Sequence, residues 1–118
     1  MQHKHAAWPT MPKAAKVAFL NDLLRTTGFG GRIVMTRSVA ALPTTEQVAI
    51  FQALRAFTGF CEDNDPYGEH DCATFDAAGH KCLFKVDYYD QAMRCLSPNP
   101  ADPTVTQRVL TVMLAEDY

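Results

Sequence analysis

The chain has 118 residues, enough for one domain that buries a real core without covalent staples. Apolar residues make up 47% and charged residues 20%, which excludes a disordered charged tail, and no apolar run reaches the roughly 18 residues that a bilayer-spanning helix needs. The net charge of −2 hides an asymmetry: residues 1–55 carry seven bases against two acids, a net of +5, and residues 56–118 carry eleven acids against four bases, a net of −7.

Residues 1–12 read as a flexible N-terminal arm, because Pro9 and Pro12 delay any helix, and residues 13–118 as a single α+β domain. The first apolar stretch, Ala14 to Leu24, is interrupted by Lys16 and Asp22 and lacks a small-residue cleavage site, so it is not a secretory signal. A cytoplasmic protein is therefore expected, with Cys61, Cys72, Cys82 and Cys95 reduced.

In chain order, Val17, Leu20, Leu23 and Leu24 recur at helical spacing and predict a helix from about Lys13 to Thr26, with Lys16 and Arg25 off its apolar stripe and Gly28 stopping it. The run Ile33-Val34-Met35-Thr36 predicts a strand over about Arg32 to Ser38. Thr44 with Gln47 reads as a capping box after Pro43, opening a helix whose face is Val48, Phe51, Leu54 and Phe57 with Ile50 alongside. The aromatics Phe51, Phe57 and Phe60 are most simply core packing.

Two antiparallel strands are expected over Cys72 to Asp76 and Lys81 to Tyr89, turning through Asp76-Ala77-Ala78-Gly79, with Cys82, Phe84, Val86 and Tyr88 on one face. Ser97 to Pro103 reads as a stiff, extended connector. A last helix is expected from Asp102 or Thr104, burying Val105, Val109, Val112 and Met113. Its end, Glu116-Asp117, would oppose the helix dipole and call for a compensating cation. The expected order is α-β-α-β-β-α, a small, mostly antiparallel three-stranded sheet packed by helices.

Between the second helix and the hairpin lies Glu62-Asp63-Asn64-Asp65-Pro66-Tyr67-Gly68-Glu69-His70-Asp71, in a stretch from Arg55 to Lys81 that holds six acids and no intervening Lys or Arg. Asp65, Pro66 and Gly68 suit positions i, i+1 and i+3 of a type I turn, and Asn64 and Asp65 can close Asx turns. Glu69, His70 and Asp71 are not needed for a turn. They could hold a hard cation or a charged partner. The segment is not an EF-hand, because Tyr67 and Thr74 stand where ligands belong. His70-x-Cys72 and His80-x-Cys82 flank the hairpin and invite a zinc reading, though Cys82 shares the face of Phe84 and Val86. A Cys61–His70 pair has nothing in the sequence to orient it, and His70 between Glu69 and Asp71 could serve in acid–base chemistry or simply as a structural ion pair.

The runs Asn64 to Asp71, Lys85-Val86-Asp87-Tyr88-Tyr89-Asp90 and Arg108 to Ala115 resemble an uncharacterised bacterial domain-of-unknown-function family, found largely in proteobacteria and often on plasmids and other mobile elements. The likeness covers about Asn21 to Tyr118. It transfers no catalytic residues, and the family tends to carry an aromatic residue where Cys72 stands and Trp where Phe84 stands, which weakens a zinc site at Cys72.

The leading expectation is a non-enzymatic accessory protein of a mobile element that binds a basic protein through Glu62, Asp63, Asp65, Glu69 and Asp71, with Tyr67 as an aromatic anchor. One version is an inhibitor of a host defence nuclease, of the anti-CRISPR or anti-restriction kind, whose carboxylates occupy the groove for nucleic-acid phosphates. A second expectation is a small metal-dependent hydrolase or nuclease, with Asp65, Glu69, Asp71 and Asp87 around a divalent ion and His70 moving a proton. A third is a structural oligomer subunit. No cofactor is expected, and seven scattered bases argue against direct nucleic-acid binding.

Overall fold

The computed structural model describes residues 8–118, so the expected arm lies outside the described residues as far as residue 7. From there Trp8–Thr10 forms a 3-10 turn, and the Trp8 ring meets Phe19 edge-on at 5.8 Å. Helix α1 spans Lys13–Thr27, strand β1 Arg32–Met35, the one-turn helix α2 Arg37–Ala40 and helix α3 Thr44–Ala56. Strands β2 (Cys72–Ala77), β3 (His80–Tyr89) and β4 (Gln107–Leu114) follow, and a 3-10 turn over Ala115–Asp117 ends the described chain.

The protein is α+β, but its sheet has four strands in the order β1-β4-β3-β2 and is mixed. β4 lies parallel to β1, with Arg32 opposite Val109, and antiparallel to β3, with Cys82 opposite Leu114. The expected last helix is thus a central strand. Its run Val109-Leu110-Thr111-Val112-Met113-Leu114 is apolar at five of six positions, and so continuous a run satisfies helical spacing by accident. Its β-branched residues favour the strand, and Arg108, Leu110, Val112 and Leu114 bury one face by strict alternation. The dipole argument for Glu116 and Asp117 falls with the helix. Asp117 instead accepts from Thr36 Oγ1 (2.9 Å), Ser38 Oγ (2.7 Å) and the Leu114 amide (3.0 Å), pinning the C-terminal turn to the β1–α2 junction.

Helix α1 ends as expected at Gly28, whose left-handed φ of 82° lets its N–H reach Leu24 O at 2.8 Å. The capping box of α3 does not form. Pro43 is the N-cap, and Gln47 donates to the carbonyls of Ala40 (3.1 Å) and Leu42 (2.9 Å), closing the loop behind it. Val48 faces solvent, because Ile50 and Leu54 turn the buried stripe of α3 the other way. The β2–β3 turn is tighter than expected: Ala78 (φ 53°) and Gly79 (φ 80°) form a two-residue loop with both φ positive, as a type I′ hairpin requires. The Ser97–Pro103 connector is folded rather than extended, since Asn99 and Asp102 close turns onto Ala101 N and Thr104 N.

Leu24, Val39, Ile50 and Leu54 pack onto Ala73, Phe75, Cys82, Phe84, Val86, Leu110, Val112 and Leu114 of one sheet face. The alternate residues, among them Cys72, Thr74, Leu83, Lys85, Asp87 and Thr111, point to the opposite face and take no part in that core. Gly31 lets β1 run close to β4, since a Cβ there would collide with the Arg108 carbonyl oxygen.

Candidate functional site

The loop from Phe57 to Asp71 has no regular secondary structure, so its backbone groups need other partners. It begins where α3 ends. Arg25, expected on the solvent side of α1, is buried beneath that end, and its Nη1 donates to the carbonyls of Leu54 (2.9 Å), Arg55 (3.4 Å) and Phe57 (2.9 Å). A guanidinium at a helix C-terminus satisfies orphan carbonyls and complements the dipole. Its Cζ also lies 5.4 Å from the centre of the Phe60 ring.

Further along, Asn64 accepts from Cys61 N (2.9 Å) and donates to Gly59 O (2.9 Å). The turn Asp65-Pro66-Tyr67-Gly68 closes with Gly68 N donating to Asp65 O at 3.0 Å, as the sequence suggests. The Asp65 side chain folds inward. Only 8% of the residue is exposed, and its Oδ1 accepts from the amides of Glu69 (3.0 Å) and His70 (3.1 Å). Asp65 is therefore a strut of the loop and not a surface carboxylate, which corrects its expected role in partner binding.

His70 is also structural in its placement. With φ at 55° it stands outside β2, its ring stacked on Phe60 at 4.1 Å. Nδ1 meets both Asp22 carboxylate oxygens at 2.9 and 3.0 Å, and Nε2 faces Asp65 Oδ2 at 3.7 Å. Asp22 in turn takes Arg25 Nη2 at 3.0 Å. One carboxylate on α1 thus joins the residue that caps α3 to the residue that ends the loop. Beside it, buried Asn21 donates to Glu69 O (3.0 Å) and Tyr88 Oη (2.9 Å) and accepts from Arg108 Nε (2.7 Å). Arg108 also donates to Pro100 O and lies over the Tyr88 ring. Burial lowers the Arg108 pKa from its ordinary value and pushes Tyr88 up to about 12.

What the loop leaves outside is a small set. Glu62 and Asp63 are exposed, Tyr67 is 80% exposed at the apex of the turn, and Glu69 and Asp71 are half-buried at its base. Among the described residues, none of these carboxylates is in a salt bridge with a Lys or Arg. Burial, followed by the charges of Asp71 and Asp65, raises the Glu69 pKa, and the same causes raise the Cys72 thiol.

The metal constellations do not assemble. Among the described residues, no group of three or more His, Cys, Asp or Glu could hold an ion. Asp65 is spent on amides, and Asp87 lies on the open sheet face in an ion pair with Lys85 at 2.6 Å. The paired His-x-Cys idea fails by geometry: His80 bonds Glu46 of α3 at 2.6 Å, and Cys82 is in the core while Cys72 faces the other side of the sheet. All four cysteines are free thiols.

A family model matches residues 35–117, well over half of the chain. The chain belongs to the family described as protein of unknown function, DUF3768. The matched span of this DUF3768 member holds the loop, the hairpin and β4, and begins after α1. It is narrower at its N-terminal end than the resemblance drawn from Asn21 onward. No curated protein and no solved structure matches the chain.

Sequence reasoning found the loop and missed what holds it. Asn21 and Arg25 sit at positions i+4 and i+8 from Val17, on the stripe that also buries Ala18 and Leu24. Polar side chains on the apolar stripe of a helix were the available signal, since buried polar groups demand partners.

Proposed function

We propose that this protein is a non-enzymatic binding module that docks a basic protein partner through the tip of the Glu62–Asp71 loop. The observation that carries the reading is the contrast within the loop. Its interior groups are tied to α1, α3 and one another, while Tyr67 stands 80% exposed on a loop whose outer carboxylates form no salt bridge with Lys or Arg among the described residues. A loop tied down from within loses little entropy on docking, and an exposed aromatic on an acidic loop suits an interface anchor with electrostatic steering. The form we favour is an accessory protein of a bacterial mobile element that inhibits a nucleic-acid-processing enzyme. Glu62, Asp63, Glu69 and Asp71 would then occupy a basic groove meant for phosphates.

The test is affinity capture from a bacterial lysate with the wild-type chain and with Tyr67→Ala and the double variant Glu62→Gln, Asp63→Asn. The expected result is a captured basic protein whose binding falls about tenfold or more in each variant and weakens steeply with salt. Capture that persists unchanged in both variants at several hundred millimolar salt overturns the reading.

A further inference from the structure

Strand β2 ends the sheet, and among the described residues one side of its backbone meets no other strand. The phase of its pairing with β3 is set by Val86 N donating to Asp71 O at 2.8 Å, and by Ala77 opposite His80 across the two-residue turn. Antiparallel hydrogen-bonded and non-bonded pairs alternate, so Ala73, Phe75 and Ala77 spend their N–H and C=O groups on β3. Those of Cys72, Thr74 and Asp76 point outward, and among the described residues no hydrogen bond reaches them.

An edge of this kind is a template for a further strand, and proteins commonly blunt it with proline, lysine, a bulge or extreme shortness. The other edge, β1, is only four residues long and carries Arg32. β2 has six residues in unbroken register, and its sole charge, Asp76, sits at the turn end beside Lys81 at 3.4 Å. The side chains of Cys72 and Thr74 form one wall of a groove of about 450 Å³ on the open sheet face, which Leu83, Lys85 and Tyr118 also line, with Asp71 at its rim. Lys85 is already neutralised by Asp87, and Asp71 is in no ion pair among the described residues, so the groove offers one unmatched negative charge.

We propose that the outer edge of β2 takes an extended, basic segment of the partner as an added strand, with an alternate basic side chain lying in the groove against Asp71. This rests on the reading of the protein as a module for a basic partner and names how that partner would be held. Main-chain hydrogen bonds to Cys72, Thr74 and Asp76 supply affinity, and the groove supplies the preference for a cation.

The probe is a short synthetic peptide alternating arginine with valine, compared with its glutamate–valine counterpart, in amide hydrogen-exchange and shift measurements on the labelled protein. The arginine peptide is expected to slow exchange at the Cys72, Thr74 and Asp76 amides about tenfold and the glutamate peptide to leave them unchanged. Thr74→Pro, which removes only an outward N–H, is expected to weaken peptide binding about tenfold. If the arginine peptide saturates without protecting these amides, or both peptides protect them equally, the proposal is wrong. Should Thr74→Pro misfold, the wild-type exchange data decide alone. Loss of partner capture in Tyr67→Ala with an unprotected edge sinks the edge and keeps the loop. Loss in Thr74→Pro with capture retained in Tyr67→Ala does the reverse.

Discussion

The loop over residues 57–71 and strand β2 are consecutive in the chain, yet they are satisfied in opposite ways. The loop lacks regular structure and spends its polar groups inward: Asp65 on two amides, His70 on Asp22, and the α3 carbonyls on Arg25. The strand is regular and, among the described residues, leaves half its backbone unspent. Irregular chain is thus the part bonded from within here, and regular chain the part with outward N–H and C=O groups unbonded among the described residues. Where buried groups demand partners, absence of helix or strand does not mean looseness.

The strongest way to break that contrast is to cut the tie between α1 and the loop. Asn21→Leu would leave Arg108 Nε, Glu69 O and Tyr88 Oη without their shared partner, in a position only 1% exposed. A loss of about 3 kcal/mol is expected in urea unfolding, because a buried charged group whose Nε is left unbonded costs more than an ordinary hydrogen bond. A loss near zero would mean that the network is decoration.

Next in size is a matched proline pair in β2. Ala73→Pro deletes an N–H that faces β3 and is expected to cost about 2–3 kcal/mol. Thr74→Pro deletes one that faces outward and is expected to cost at most about 1 kcal/mol. Equal losses by thermal or chemical unfolding would show that the inferred phase of the ladder is wrong. Asp65→Ala follows, at about 2 kcal/mol, for two part-buried amides left without their shared acceptor, and it should speed hydrogen exchange at Glu69 and His70 while sparing β2.

These sizes bear on what the sequence could disclose. The hairpin was legible because Cys82, Phe84 and Val86 alternate on a half-buried surface, and α1 because its leucines repeat and Gly28 ends it. β4 was not, because its apolar residues run on past the buried positions, and Val109 and Met113 blur the alternation that marks a strand. The acidic loop was visible as composition, and its turn as Asp65-Pro66-x-Gly68, but a list of acids cannot say which point inward. Asp65 and Asp63 differ by two positions and have opposite fates. Asp65 turns in onto the amides of Glu69 and His70, close by in the chain, but the groups that tie Glu69 O and His70 down, Asn21 and Asp22, are more than forty residues upstream, so only tertiary structure brings them in.

Titration distinguishes two carboxylates, Asp117 and Glu69, by sign. Hydroxyl hydrogen bonds from Ser38 and then Thr36 hold Asp117 below its ordinary 3.8, so its contribution is present above that value and is lost as pH falls through the lowered one. Burial raises Glu69 above 4.5, so it favours the fold below that value and weakens it as pH rises through the raised one. Glu69→Gln is therefore expected to add slight stability near neutral pH and none near pH 3, in acid-dependent unfolding curves. A gain that grows as pH falls would contradict the assigned cause.

The smallest effect on stability should come from Tyr67→Ala. Its ring is 80% exposed at the apex of a turn that the Gly68–Asp65 hydrogen bond closes through main chain alone. Unfolding free energy should stay within about 0.5 kcal/mol of the parent, as for surface changes away from caps, cavities and networks. The loop amides should keep their exchange protection, since no tie to α1 runs through this side chain. If Tyr67→Ala instead loosens the loop, the ring is a strut like Asp65, and the division between a spent interior and a free tip no longer holds.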